Sequence, residues 1–223
     1  EISLGLVGSE MCIRDSISGI DTFTFHKPIT FFVGENGSGK STLLEAIAVA
    51  YGFNAEGGTK NYSFSTYNSH SELCEAMTIS KGYRRPKFGY FLRAESFYNV
   101  ATKEIDYSDD DHPSKGYHQK SHGESFLAIA QDYMGADGVY IFDEPEAGID
   151  LWSFNSLIKV FEKMRDEING SILIISHQER ILNIADKIIV IANGSVDSIG
   201  SKEEIMPRLM NQPSTCKTLT DKA

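Results

Sequence analysis

The stretch FFVGENGSGKSTLLEAIA, residues 31–48, joins an apolar run to a helical pattern through a segment with three glycines and a lysine. The run ITFFV has the length of a buried strand, and the apolar residues after Ser41 recur at helical spacing. Gly34, Gly39, Lys40 and Ser41 match the pattern G-x-x-x-x-G-K-[ST]. A strand, a loop and a helix in this order bring backbone N–H groups and a helix N-terminus together, which predicts a polyphosphate site.

The residue types of this loop suit that chemistry. Glycine has no Cβ, so the main chain can approach phosphate oxygens closely. We expect Lys40 to bridge the β- and γ-phosphates of ATP and the Ser41 hydroxyl to coordinate Mg2+. The alternative is a glycine-rich turn with a surface lysine. The loop residues expected to contact the nucleotide are Gly34, Glu35, Asn36, Gly37, Ser38, Gly39, Lys40, Ser41 and Thr42.

Length and composition favour one domain with a substantial core. The chain has 223 residues, 41% of them hydrophobic. A formal net charge of -10 argues against a broad nucleic-acid-binding face. Cys12, Cys74 and Cys216 lie far apart, which fits a reducing compartment, and we expect the cytosol. No apolar run reaches the roughly 20 residues of a membrane span.

The order of patterns predicts an α/β fold with a mostly parallel sheet flanked by helices. The strand-like runs GVYIF, SILIIS and KIIVIA alternate with helical patterns, including one at 125–134 and one at 157–168. Asn193-Gly194 predicts a hairpin turn.

We expect a single ATPase domain at residues 17–210, with an insert of few clear elements at 53–120 and a flexible tail at 211–223. Residues 1–16 resemble a peptide found at the ends of unrelated conceptual translations and have no signal-peptide pattern. They are therefore interpreted as a non-native or disordered leader.

Two acidic residues follow the run GVYIF. Asp143 leaves the carboxyl end of this predicted strand, where ligands of open α/β sheets bind, and we expect it to hold Mg2+ through a water. Pro145 biases Glu144 toward extended geometry, which would aim its carboxylate at the γ-phosphate. There it could orient and deprotonate the attacking water. The alternative is two exposed acids before a turn proline.

A histidine follows the run SILIIS. His177 emerges at the same predicted sheet edge, where an imidazole can contact the γ-phosphate and the attacking water. A second interpretation stays open, because Ser176 and Glu179 also fit an S-x-x-E capping box for the next helix.

Together these motifs resemble the ATP-binding-cassette (ABC) type ATPases. GENGSGKST is similar to their phosphate loop, FDEPEAGID to their Walker B motif and D-loop, and IISH to their switch histidine. KSHGESFLAIA stands in the place of their serine-glycine-glycine signature, where Ser121 and Gly123 match and His122 replaces a glycine. The resemblance implies that Ser121, Gly123 and Glu124 bind the γ-phosphate held by a second subunit, so that a head-to-tail homodimer closes around ATP. The alternative is an ordinary helix N-cap.

Two family positions have no clear match. The family has a glutamine at a strand end before the signature, but Gln119 adjoins the signature itself, and Glu95 is the other candidate. Phe25 is a candidate for the aromatic residue that stacks on adenine, beside a role in the core.

Different parts of the chain resemble different branches of this family. Residues 18–142 are similar to small stand-alone bacterial ABC-type ATPases of the AAA family, and residues 142–223 to the Suf-type ATPases of iron-sulfur cluster assembly. A chimaera joined near 141–147 is therefore a hypothesis. The resemblance implies ATP hydrolysis coupled to an unknown partner. The alternatives are a Suf-like assembly role and the nucleotide-binding subunit of an ABC transporter. The segment between Glu95 and Ser121 argues against the transporter role, because it reads as an acidic loop and not as a pair of helices that could grip a membrane partner.

Overall fold

A computed structural model describes most of the chain. The described residues are 2–6, 22–25, 28–62, 64, 71–81, 86–111 and 113–211. The flexible tail predicted at 211–223 lies outside them from residue 212 onward, as does most of the predicted leader.

The described strands and helices follow one another in the order that the alternating sequence patterns predict after residue 138. The strands are β1 (Ile2–Leu6), β2 (Thr22–Phe25), β3 (Ile29–Val33), β4 (Met77–Lys81), β5 (Phe88–Arg93), β6 (Gly138–Asp143), β7 (Ser171–Ile175), β8 (Lys187–Ala192) and β9 (Ser195–Gly200). The α-helices are α1 (Lys40–Tyr51), α2 (Phe97–Asp106), α3 (His122–Tyr133), α4 (Leu151–Glu167), α5 (Glu179–Leu182) and α6 (Lys202–Asn211). Short 3-10 helices span Glu72–Ala76 and Tyr117–Gln119.

The main sheet has six strands in the order β5-β6-β7-β3-β8-β9. Its neighbours pair in parallel except for the β8–β9 hairpin. Both Asn193 and Gly194 have left-handed backbones, with φ of 51° and 68°, as a two-residue hairpin turn requires. The predicted α/β fold and the predicted hairpin are both confirmed.

Helices cover both faces of this sheet. Neighbouring residues on a strand point to opposite faces, so Phe31 and Phe32 enter different core clusters. Phe31 packs in the cluster that contains Phe126 of α3 and Phe161 of α4, whereas Phe32 packs with Leu43 of α1. Strands buried on both faces read as continuous apolar runs, which is why these strands were visible in the sequence.

A second, antiparallel sheet has the order β2-β1-β4. Ile2–Leu6 pairs with both of its neighbours there. This strand lies within the segment that the sequence analysis interprets as a non-native or disordered leader. The foreign origin of residues 1–16 stays a prediction.

The segment between Glu95 and Ser121 is more regular than an acidic loop. It contains α2, whose buried side chains Val100, Ala101 and Glu104 recur at helical spacing. Burial of an acidic residue hid this face in the sequence. Glu104 is satisfied because it accepts hydrogen bonds from Ser114 Oγ at 2.7 Å and Lys115 N at 2.6 Å.

The helix after the D-loop begins at Leu151, six residues before the predicted start at 157. Asp150 caps it by accepting hydrogen bonds from Trp152 N at 2.9 Å and Ser153 N at 3.1 Å. The exposed residues of this first turn concealed the helical pattern.

Among the described residues, none of the helices has the length together with the apolar character that crossing a bilayer would require.

The core between the sheet and its covering helices gives a stability prediction. Phe161 is fully buried, with its ring 5.2 Å from that of Phe142 and 5.7 Å from that of Phe126. Replacing it by alanine (Phe161→Ala) should lower the free energy of unfolding by about 3–5 kcal/mol in urea titrations, because a cavity is left. Phe88, which is 47% exposed, provides the matched control, and Phe88→Ala should cost clearly less. Equal losses in the two variants would contradict this packing.

Candidate functional site

The loop between β3 and α1 lies very close to β8. A Cβ placed on Gly34 would be 2.0 Å from the carbonyl oxygen of Ile191, so no side chain fits there. Gly39, at the N-cap of α1, has a φ of 96°, a left-handed conformation that favours glycine. The chain therefore makes a narrow turn whose backbone leads directly into the N-terminus of α1, as a phosphate loop requires.

Lys40 is held inside this loop. Its side chain is buried, and Nζ donates hydrogen bonds to the carbonyl oxygens of Gly34 at 3.0 Å and Glu35 at 2.8 Å. Burial lowers the pKa of Lys40, while the nearby charges of Glu144 and Asp143 act in the opposite direction. The predicted phosphate-binding lysine and the two predicted acids thus belong to one site.

A hydroxyl of the loop is buried as well. Ser38 Oγ has no hydrogen-bond partner among the described residues. Buried polar groups are nearly always paired, so this oxygen is suited to a ligand that lies in the loop.

Ser41 and Asp143 meet although 102 residues separate them. Ser41 Oγ donates a hydrogen bond of 3.1 Å to Asp143 Oδ1. A hydroxyl and a carboxylate are the hard oxygen ligands that Mg2+ prefers, and this ion usually takes only one or two carboxylates beside phosphates and waters. Among the described residues, no group of three or more His, Cys, Asp or Glu side chains is arranged as a complete metal cage. The chemistry of this pair fits Mg2+, and binding of the ion by Ser41 and Asp143 stays a prediction.

Burial strongly affects Asp143. It raises the pKa of this carboxyl group to about 6, although the charge of Arg93 and the hydrogen bond from Ser41 act in the opposite direction. The buried environment thus favours the protonated form of Asp143, and cations nearby favour the ionised form.

Glu144 does not have the extended backbone predicted from Pro145. Its φ is 52°, in the left-handed region. The N–H of Glu144 donates to the carbonyl oxygen of Ile175 at 3.1 Å, and its own carbonyl accepts from Ala147 N at 3.0 Å. The first bond ties Glu144 to the end of β7 and the second closes a turn after β6, and together they override the local preference of a residue before proline.

The turn brings Glu144 to His177. Glu144 Oε1 lies 3.3 Å from His177 Nε2. Burial lowers the pKa of His177, the charge of Lys40 lowers it further, and Glu144 partly offsets both. The imidazole is therefore neutral at neutral pH and can accept or donate a proton beside the Glu144 carboxylate.

The capping-box interpretation of Ser176 and Glu179 is wrong. Gln178 is the N-cap of α5, and it has no side-chain cap. Ser176 Oγ instead donates to Glu146 Oε1 at 2.5 Å and accepts from Gln178 N at 3.1 Å.

Arg93 is a site residue that the sequence reasoning missed. It ends β5, where it pairs in register with Asp143 on β6. Its guanidinium contacts the carboxylate of Glu45 on α1, and its Nε lies 3.7 Å from Asp143 Oδ2. A basic residue at the end of the run FGYFL was the available signal, since strand ends carry the functional groups of this fold.

The two candidates for the family's glutamine differ in their distance from this cluster. The Glu95 side chain is 88% exposed and lies 3.6 Å from Arg93. Gln119 is exposed in the 3-10 helix before α3. Phe25, the candidate for adenine stacking, is buried in the core cluster beside α1, which favours its core role.

The signature segment forms the start of α3. Ser121 is its N-cap: its Oγ accepts from Glu124 N at 3.3 Å, and Glu124 Oε2 accepts from Ser121 N at 2.9 Å. The hydrogen bonds that the Glu124 carboxylate accepts from the backbone N–H and the hydroxyl of Ser121 lower the pKa of Glu124. Gly123 allows close packing on α4, because a Cβ there would lie 2.5 Å from Ser153 Cβ. The N-cap alternative is thus realised in this chain, and binding of a γ-phosphate by the same helix start stays a prediction.

Known proteins resemble this chain over most of its length. The family model described as AAA domain matches residues 15–213, across the hypothetical junction near 141–147. A sulfate/thiosulfate import ATP-binding protein of Shewanella oneidensis is 28% identical over 201 residues, which is 79% of this chain and 55% of that protein. An uncharacterized ABC transporter ATP-binding protein of Methanocaldococcus jannaschii is 26% identical over 234 residues, covering 89% of this chain and 42% of that protein. The chain thus spans about half the length of these relatives.

Solved structures resemble the chain in fold. An ATP-binding subunit of an ABC transporter superposes with a TM-score of 0.60 at 14% identity, covering 97% of this chain and 96% of the other. The protein cbiO1 from Clostridium perfringens, part of the cbiONQ ABC transporter complex, gives a TM-score of 0.54 at 17% identity, covering 92% of this chain and 90% of the other.

The raised pKa of Asp143 predicts a pH dependence of stability in protein free of metal and nucleotide. The carboxyl group has a pKa of about 6 when folded and about 3.9 when unfolded. The folded state therefore binds the extra proton, and the stabilisation it provides is complete below about pH 4 and lost as the pH rises through 6. Relative to Asp143→Asn, the free energy of unfolding of the parent should fall by on the order of 2 kcal/mol between pH 4 and pH 7. A constant or rising difference in urea titrations would contradict the assignment.

Proposed function

Because the chain belongs to the AAA domain family and resembles the ATP-binding proteins of ABC transporters, we propose that it is an ABC-type P-loop ATPase, which binds ATP with Mg2+ at the loop after β3 and hydrolyses it to ADP and phosphate. The observation that carries the proposal is the cluster formed by the buried Lys40 and Asp143 with the half-buried Ser41. Glu144 and His177 lie at the exposed side of that cluster, in contact with each other.

The proposed mechanism is in-line attack of water on the γ-phosphate. Lys40 and the loop N–H groups stabilise the charge of the phosphate oxygens. Ser41 and Asp143 would hold Mg2+, which supplies further charge neutralisation when bound. Glu144 accepts a proton from the attacking water as the new P–O bond forms and the bond to the β-phosphate oxygen breaks. The neutral His177 orients this water together with Glu144.

We further infer that two chains complete each other's sites. Ser121 and the amides at the start of α3 form an exposed helix N-terminus, which suits an anion such as the γ-phosphate bound by a second copy. In this proposal the dimer assembles with ATP, and hydrolysis releases it. The release of the dimer is the conformational change that acts on a protein partner. The cytosolic location of the chain stays a prediction.

A role as the ATP-binding subunit of an importer is the second candidate. It is favoured by the names of relatives such as the sulfate/thiosulfate import protein of Shewanella oneidensis. The Suf-like assembly role has no comparable support from these relatives. Affinity purification from detergent extracts separates the candidates, because an importer subunit should be recovered together with an integral membrane protein.

The roles of Glu144 and Lys40 give opposite phenotypes. Glu144→Gln should keep ATP affinity within about threefold and lower turnover by at least roughly a hundredfold, because only the proton acceptor is lost. Lys40→Ala should instead lose most ATP binding, since the ammonium contacts the phosphates. Isothermal titration calorimetry measures the ATP affinity of each variant, and a phosphate-release assay measures its turnover. Parent-like hydrolysis by Glu144→Gln, or parent-like affinity of Lys40→Ala, would remove the corresponding assignment.

If each ATP site is completed by a second chain, the rate of ATP hydrolysis per chain depends on protein concentration. The turnover per chain should rise with concentration and then level off, and Glu144→Gln with ATP should elute as a dimer in size-exclusion chromatography. Ser121→Glu, which places a negative charge where the γ-phosphate is expected, should abolish the rise. A turnover per chain that is constant over a hundredfold range of concentration would exclude this part of the proposal.

A further inference from the structure

The carboxyl group of Glu146 joins two segments of the candidate site. Glu146 lies two residues after Glu144, in the turn that follows β6. Its Oε1 accepts hydrogen bonds from Ser176 Oγ at 2.5 Å and from the backbone N–H of His177 at 3.3 Å. Ser176 and His177 directly follow β7. One carboxyl oxygen therefore ties the turn that carries Glu144 to the segment that carries His177.

The same contacts extend to the next residue. Ser176 is fully buried, and its Oγ accepts a hydrogen bond from Gln178 N at 3.1 Å while it donates to Glu146. A hydroxyl whose donor and acceptor capacities are both used has little freedom to rotate. The backbone from Ser176 to Gln178 is thus held in one conformation, and this conformation directs the His177 ring toward Glu144.

We propose that Glu146 is a positioning residue, whose hydrogen bonds to Ser176 and to the His177 backbone hold the His177 imidazole against the Glu144 carboxylate. The inference rests on the proposed function, because Glu144 and His177 are assigned there as the groups that act on the attacking water. Glu146 itself does not touch the substrate in this proposal. Its contribution is the orientation of a neighbour, to which reaction rates are sensitive.

The positioning role does not require the negative charge of Glu146. Its second oxygen, Oε2, is buried without a hydrogen-bond partner among the described residues. Burial also raises the pKa of Glu146. The required feature is one acceptor oxygen at the place of Oε1, and the amide oxygen of glutamine supplies it.

Three variants of the full chain test the role. Glu146→Gln keeps the acceptor, Glu146→Leu removes it at similar size, and Glu162→Leu makes the same change at an exposed position of α4. We expect Glu146→Leu to lower kcat for ATP by at least roughly tenfold with KM changed less than twofold, since orientation and not nucleotide binding is lost. Glu146→Gln should keep kcat within about threefold, and Glu162→Leu should match the parent.

A second measurement does not depend on hydrolysis. The imidazole signal of His177 can be followed by NMR in nucleotide-free protein labelled at histidine, with His177→Gln as the assignment variant. Glu146→Leu should move this signal, and Glu146→Gln should leave it near the parent position. The signal of His118, which lies on the 3-10 helix Tyr117–Gln119 and contacts Thr102, serves as the internal reference.

The outcomes separate the two proposals. A parent chain without ATP hydrolysis would defeat the proposed function, and the His177 signal would still decide the positioning role. Parent-like kcat and an unmoved His177 signal in Glu146→Leu would overturn that role. Equal losses in Glu146→Gln and Glu146→Leu would overturn it too, because charge would then be the feature used. If Glu146→Leu does not fold, Ser176→Ala replaces it and should move the His177 signal and lower kcat in the same direction.

Discussion

The hydrogen bond from Ser41 Oγ to Asp143 Oδ1 links the first turn of α1 to the carboxyl end of β6, and the rest of the site is arranged around it. The strand that leads into α1 is β3, and β7 lies between β3 and β6. Because these three strands are parallel, their carboxyl ends lie at one edge of the sheet. A shift in their register would separate the two oxygens and would also displace His177, which follows β7.

Burial acts in opposite directions on the two groups at the centre of the site, since it lowers the pKa of Lys40 and raises that of Asp143. Both shifts favour the neutral forms. The charged forms are favoured by neighbours: Asp143 and Glu144 for Lys40, and Arg93 for Asp143. The protonation states of Lys40 and Asp143 therefore depend on the charged groups around them, and a substitution at one of those groups changes the pKa of the neighbour it acts on.

The sequence was sufficient to predict a site residue where a local motif or a neighbouring apolar run identifies it. Ser41 and Asp143 could be placed because a motif or a buried apolar run precedes each of them. Arg93 could not, because its role depends on the register of β5 against β6 and on Glu45, which is 48 residues away in the chain. The backbone of Glu144 was predicted wrongly for a related reason, since a hydrogen bond to a residue of β7 outweighs the preference set by the following proline.

Glu144 and Asn193 are the described non-glycine residues with positive φ. Asparagine in a hairpin turn tolerates this conformation, but for glutamate it costs on the order of 1 kcal/mol. A glycine would relax the turn and could not carry a carboxylate. Selection for thermal stability alone would therefore favour glycine at position 144, whereas the proposed role in ATP hydrolysis requires an acidic residue there.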